Sequence, residues 1–160
     1  MEQDNNIANE PIESVEKEDV GASKITDPYN PEEIKIDQKN LNLGFIIEML
    51  ENEEIDLMPD FQRNMDLWDD TKKSRLIESL LLGLPIPSFY FSEEANRDKQ
   101  LVVDGLQRLC AFQDFIVDKK LKLSNLQFLE SYKDKFYEDL SREDKRKISG
   151  TQLNCYVIQK

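Results

Sequence analysis

An α+β fold, a small mixed sheet packed with helices, is the class this sequence predicts. Three observations carry it. Short β-rich runs and amphipathic helical runs are mixed along the chain without a regular βαβ alternation. The 160 residues are 39% apolar, enough for one core. Large apolar residues are sparse and without periodicity before Ile34, so residues 1–35 read as a disordered acidic tail and 36–160 as the domain.

The tail is polar, lacks periodicity, and is interrupted by Pro11, Gly21, Pro28 and Pro31. Residues 1–40 hold 11 acids and 4 bases, a net of −7, against −12 for the whole chain. The remainder is therefore only mildly acidic. No internal repeat is visible. In the domain, Leu41, Phe45, Ile46, Met49 and Leu50 recur at helical spacing and predict a helix over 42–52. Ile55-Asp56-Leu57 is too short for a helix and predicts a brief strand. Pro59 then breaks the pattern, and 60–68 reads as irregular.

Asp70 or Thr71 is placed to cap a helix over 71–82, with Leu76, Ile77, Leu80 and Leu81 on its buried face. Gly83 ends it, and Pro85 and Pro87 direct the chain into the next strand. Ser88 to Phe91 and Leu101 to Val103 predict two strands joined as a hairpin through a polar turn. A helix over 105–117 follows at once. Further short helices are expected over 133–140 and 141–148, the latter opened by Ser141. Leu153 to Ile158 is a last strand, and its place at the chain's end points to an excised domain or a stand-alone module.

Composition excludes several functions. There are no histidines, which removes Ser-His-Asp and Cys-His catalysis and every His-ligated zinc site. Cys110 and Cys155 lie far apart among apolar neighbours and read as small buried hydrophobes in a reducing cytosol. No apolar run approaches the roughly 20 residues of a membrane span, and the N-terminus has no signal-peptide pattern. A soluble cytoplasmic protein is expected. The lysines and arginines beyond residue 118 are interleaved with acids, a charge-mixed surface in which a local phosphate-binding patch is the alternative. An acidic domain lacks the electrostatic footprint of a general DNA binder.

The segment that can carry chemistry is Asp104-Gly105-Leu106-Gln107-Arg108. A strand runs into a glycine turn and a helix starts, an arrangement that offers backbone N–H groups to an anion. Arg108, one turn in, can grip a phosphate with two parallel hydrogen bonds. Asp104 can hold a magnesium ion or position a water. The same residues fit a purely structural role, because Asp104 and Gln107 have the spacing of a capping box. Phe61 and Trp68 can stack on a base or pack under a helix.

Pro59-Asp60-Phe61-Gln62-Arg63 with Trp68, then Ser79 to Pro87 with its Gly-x-Pro-x-Pro, then Asp104 to Arg108, occur in an order and spacing that resemble a known family. It is the N-terminal, ParB/sulfiredoxin-like domain of GmrSD-type, modification-dependent restriction endonucleases, and the resemblance covers roughly residues 40–158. Leu106 departs from the pattern, standing where the family usually has Gln. The resemblance implies a ParB/sulfiredoxin-like fold and a regulatory domain of a restriction or anti-phage system. It would bind a nucleoside triphosphate with Mg2+ and hydrolyse it weakly if at all. By motif, Gln62, Arg63, Asp104, Gly105, Gln107 and Arg108 would bind the nucleotide, Asp104 and Arg108 being catalytic. No resident protein metal site is expected. A C-terminal or separately encoded nuclease is the implied partner, with DNA touched weakly or indirectly and no membrane. Two other readings stay open: a ParB-like DNA-binding or nuclease domain using Asp60, Asp66 and Asp104, and a degenerate interaction module motivated by Leu106.

Overall fold

Strand β1 (Lys35–Asn42) opens the domain in the computed structural model, which describes residues 34–57 and 67–159. The expectations for residues 1–33, and for Asp60, Phe61, Gln62, Arg63 and Asp66, lie outside the described residues. After β1 come α1 (Leu43–Glu51), β2 (Ile55–Asp56), α2 (Asp70–Leu81), β3 (Phe89–Glu93), β4 (Gln100–Asp104), α3 (Leu106–Phe112), α4 (Arg142–Ser149) and β5 (Gln152–Gln159). The five strands form one mixed sheet in the order β1-β5-β3-β4-β2. β3 pairs parallel with β5 and antiparallel with β4, and β1 is antiparallel to β5. The mixed α and β content matches the predicted class.

Alternation along the strands decides which face is covered. Phe89 and Phe91 on β3, Val102 on β4, and Leu153, Cys155 and Val157 on β5 are all buried. In register they share one face of the sheet. The helices contribute Leu43 and Ile46, Ile77 and Leu80, Leu109 and Phe112 to the same core. The Phe89 ring lies 6.4 Å from Phe91 and 6.2 Å from Phe112, which seats α3 on the middle of the sheet. Both cysteines are free thiols. Cys155 is buried and Cys110 half-buried, and burial pushes the Cys155 thiol up to about 11, the behaviour of an inert core residue.

The helix limits follow from local chemistry. Asn42 caps α1 by accepting from the Phe45 N–H at 2.8 Å. For α2 the cap is Asp69, one residue before the expected Asp70 or Thr71. Its Oδ1 accepts from the Lys72 N–H at 2.9 Å, while Asp70 enters the first turn and Thr71 accepts from Asn125. Gly83 at φ 73° ends α2. The Leu84 N–H donates to Ser79 O and the Gly83 N–H to Leu80 O, the paired bonds of a Schellman stop. Ser141 opens α4 as expected, accepting from the Asp144 N–H.

Two predicted helical runs differ. The helix over 105–117 is α-helical only to Phe112 and continues as a π-turn over Gln113–Val117. The helix expected over 133–140 is replaced by single 3-10 turns at Glu130–Tyr132 and Tyr137–Asp139. The reason is non-local. The Asp134 N–H donates to Leu123 O and the Leu123 N–H to Lys135 O, so the backbone there pairs with a distant segment. Asp134 also takes a left-handed φ of 64° that stops helical winding.

Glu78 ties the long 118–141 connection to α2. Its carboxylate, 3% exposed, accepts three backbone N–H groups, those of Gln127, Phe128 and Leu129, at 3.2, 2.9 and 2.9 Å. Burial alone pushes this carboxyl up, but the three N–H donors outweigh it and hold it below its ordinary value. A depressed folded pKa contributes stability above the unfolded pKa that is lost as pH falls through the folded one. Glu78→Gln is therefore expected to cost about 1–3 kcal/mol at neutral pH. Urea denaturation measured from neutral pH into the acid range should show a smaller loss of stability on acidification in the variant than in the parent.

Candidate functional site

The site grows from the β4–α3 junction. β4 ends at Asp104, whose carboxylate is exposed, and Gly105 turns the chain at φ 108°. Two constraints fix glycine there. A left-handed φ disfavours any side chain. A Cβ would also stand 2.5 Å from Cδ1 of Phe89, a core ring with nowhere to go. Gly105 is itself the N-cap of α3 and no side chain caps the helix start. This corrects the capping-box reading of Asp104 and Gln107. The glycine displaces Asp104 one residue outside the helix, and Gln107 is engaged elsewhere.

Gln107 accepts through Oε1 from the Trp68 N–H at 2.9 Å, across 39 residues of sequence. It thus pins the chain that follows the Phe-Gln-Arg motif to the start of α3. Trp68 is half-buried and packs against the core, as the packing alternative expected. Leu106 is 6% exposed and belongs to the core. The departure from the family's Gln at this position therefore changes packing and leaves the exposed edge of the junction untouched.

Arg108 turns inward. Its side chain is 11% exposed, with the guanidinium 4.3 Å from the Phe89 ring centre. Nη1 donates to Pro87 O and Nη2 to Ser88 O, the latter at 3.1 Å. Helical side chains lean toward the helix N-terminus, so a residue one turn into α3 reaches the segment entering β3. Asp104 Oδ2 lies 3.8 Å from Nη2. Burial pulls the Arg108 guanidinium below its ordinary value, and Asp104 works against that shift. Pro87, expected only to direct the chain, also supplies a carbonyl to this clasp.

The described motif residues thus form one assembly. Asp104, Gly105 and Arg108 meet at the junction, Gln107 binds the Trp68 backbone, and Arg108 binds the end of the Gly-x-Pro-x-Pro stretch. Among the described residues no three His, Cys, Asp or Glu side chains converge to hold a metal. A magnesium ion brought in with phosphates needs only one or two protein carboxylates, and exposed Asp104 satisfies that requirement. A cavity of about 690 Å3 lies at the opposite end of β3 and β4, lined in part by Phe45, Phe91, Glu93 and Arg97. None of the described motif residues lines it.

Sequence reasoning missed an aromatic pair beside the junction. Tyr90 on β3 and Tyr156 on β5 stack with ring centres 4.9 Å apart and planes 13° from parallel. Their alternation with buried neighbours was visible, but their register was not.

The clasp makes a direct prediction. A lysine has no planar fork to bridge two carbonyls. Arg108→Lys should lower stability by about 1–3 kcal/mol in urea denaturation, whether or not a ligand is added.

A search of curated proteins and a search of solved structures each return no match. The family described as the GmrSD restriction endonuclease N-terminal domain matches residues 46–160, more than two thirds of the chain and all of the junction. No helix among the described residues is long and apolar enough to cross a membrane. The chain belongs to the GmrSD restriction endonuclease N-terminal domain family and is on that ground a component of a restriction system.

Proposed function

We propose that this domain binds a nucleoside triphosphate with Mg2+ at the β4–α3 junction and acts as the regulatory part of a modification-dependent restriction or anti-phage system. The observation that carries the reading is exposed Asp104 held beside the turn at Gly105, where no side chain caps the following helix. Acceptor-rich phosphates suit such a turn, and Mg2+ bridging them to Asp104 offsets the like charges. In this reading Asp104 touches the ligand and Arg108 is a positioning residue, since its guanidinium is occupied by Pro87 and Ser88. Gln62 and Arg63 would complete the phosphate side, as the resemblance implies. The bound metal would supply charge neutralisation and, if turnover occurs, polarisation of a phosphoryl oxygen. The effector would be a nuclease domain, C-terminal or separately encoded.

The acidic net charge of −12 favours a small metal-carried anion over a nucleic-acid strand. Leu106, the motive for a degenerate module, is a core residue and does not bear on the ligand edge.

Melting temperature with and without Mg2+ and each of ATP, GTP, CTP and UTP tests the reading. A nucleotide at a hundredfold its Kd should stabilise the parent by about 2.7 kcal/mol. Asp104→Asn should abolish that gain while leaving the ligand-free protein within about 0.5 kcal/mol of the parent, because the side chain is exposed. Absence of any response in the parent to all four nucleotides would refute the proposal.

A further inference from the structure

We infer that Tyr90 and Tyr156 form a stacking platform for the base of a free nucleotide, on the face of the sheet away from the helices. The inference deepens the nucleotide reading and rests on it. The helices pack on the face bearing Phe89, Phe91 and Val157; on the other face Ser92 and Leu101, paired in register, are buried as well, while Tyr90 at the junction end is 37% exposed. In register, the other face carries Gln38 on β1, Asn154 and Tyr156 on β5, and Tyr90 on β3. Tyr90 has Tyr156 as its partner on one side and Asp104 as its partner on the other. The candidate phosphate-side acid and the aromatic pair therefore stand in one row across three adjacent strands.

The spacing fits one nucleotide. Neighbouring strands lie about 5 Å apart, so Asp104 is roughly 5–10 Å from the two tyrosines. That is the separation a single ribose puts between a base and its phosphates. Tyr156 stacks on Tyr90 at 4.9 Å, and β4, with Val103 and Asp104, flanks Tyr90 on its other side. Tyr90 is 37% and Val103 51% exposed, so an aromatic and an apolar surface are both open to a flat ring. Gln38 is the cross-strand partner of Tyr156, and Asn154 is the next residue of β5 on the same face. Both are exposed amides, able to donate to and accept from a base edge.

The charge on this face selects the source of the base. Among the described residues of β1, β5 and β3 that share it, within Ile36 to Asn42, Gln152 to Ile158, and at Tyr90 and Ser92, there is no lysine or arginine. A nucleic-acid strand needs a basic track for its phosphates. A free nucleotide carries its phosphates to Asp104 with Mg2+ and needs none.

Calorimetric titration of the full chain with Mg-ATP and Mg-CTP, magnesium tripolyphosphate and a short single-stranded oligonucleotide tests this. Tyr90→Leu should weaken the better-bound nucleotide about tenfold or more, Tyr90→Phe should bind like the parent, and neither should alter tripolyphosphate binding. Base-proton resonances of the bound nucleotide should move upfield in the parent, a reading that holds even if Tyr90→Leu does not fold. A folded Tyr90→Leu that binds as the parent does, or base protons that do not move upfield, would overturn the platform and leave nucleotide binding intact. A parent that binds neither nucleotide nor tripolyphosphate would overturn both. An oligonucleotide bound more tightly than either free nucleotide would overturn the assignment to a free nucleotide.

Discussion

The buried guanidinium of Arg108 is the contact on which the rest of the junction depends. It is held between the Phe89 ring and the carbonyls of Pro87 and Ser88. A charge taken out of water is expensive unless its hydrogen bonds are satisfied. Here the satisfying groups come from the chain entering β3, and Asp104 adds an opposite charge at 3.8 Å. The cost of burial thereby becomes a geometric constraint. α3 cannot shift along the sheet without stranding the guanidinium, and β3 cannot start elsewhere without stranding the carbonyls.

Gly105 imposes the complementary limit from below. With only hydrogen facing Phe89, the β4–α3 turn sits directly on the ring that the guanidinium covers. Gln107 then extends the assembly to the backbone at Trp68. Sequence motifs separated by tens of residues are thus bound to one helix start through backbone hydrogen bonds. Their common order has a structural reason: Gln107 and Arg108 spend their side chains on holding the neighbouring segments, and Asp104 is left facing outward.

Much of this was legible beforehand. The strand pair at 88–91 and 101–103, the stop at Gly83, the cap at Ser141 and the last strand follow from local chemistry, and local chemistry is what a sequence displays. Strand β1 was not foreseen, because Lys35 to Asn42 is mostly exposed and becomes a strand only by pairing with β5. The run over 133–140 failed for a similar reason, since its backbone bonds go to Leu123. At the junction, the structure brings Asp104, Gly105 and Arg108 together, and the motif did not give their directions. Arg108 as a phosphate grip and Asp104–Gln107 as a cap are both reasonable from spacing. Only the packing of Phe89 against Gly105 decides that the cap is glycine and that the arginine turns inward. Tyr90 and Tyr156 are 66 residues apart, and no local pattern announces that they stack.

Amide chemical-shift mapping during titration with a Mg-nucleotide tests the central claim most directly. If the junction is a ligand site built on a fixed clasp, the largest changes will fall on Asp104, Gly105 and Leu106 and on Tyr90 across the strand pair. The amides around Pro87 and Ser88 would move little. Changes centred on Glu93, Arg97 and Gln159 at the far cavity, or none anywhere, would contradict the account.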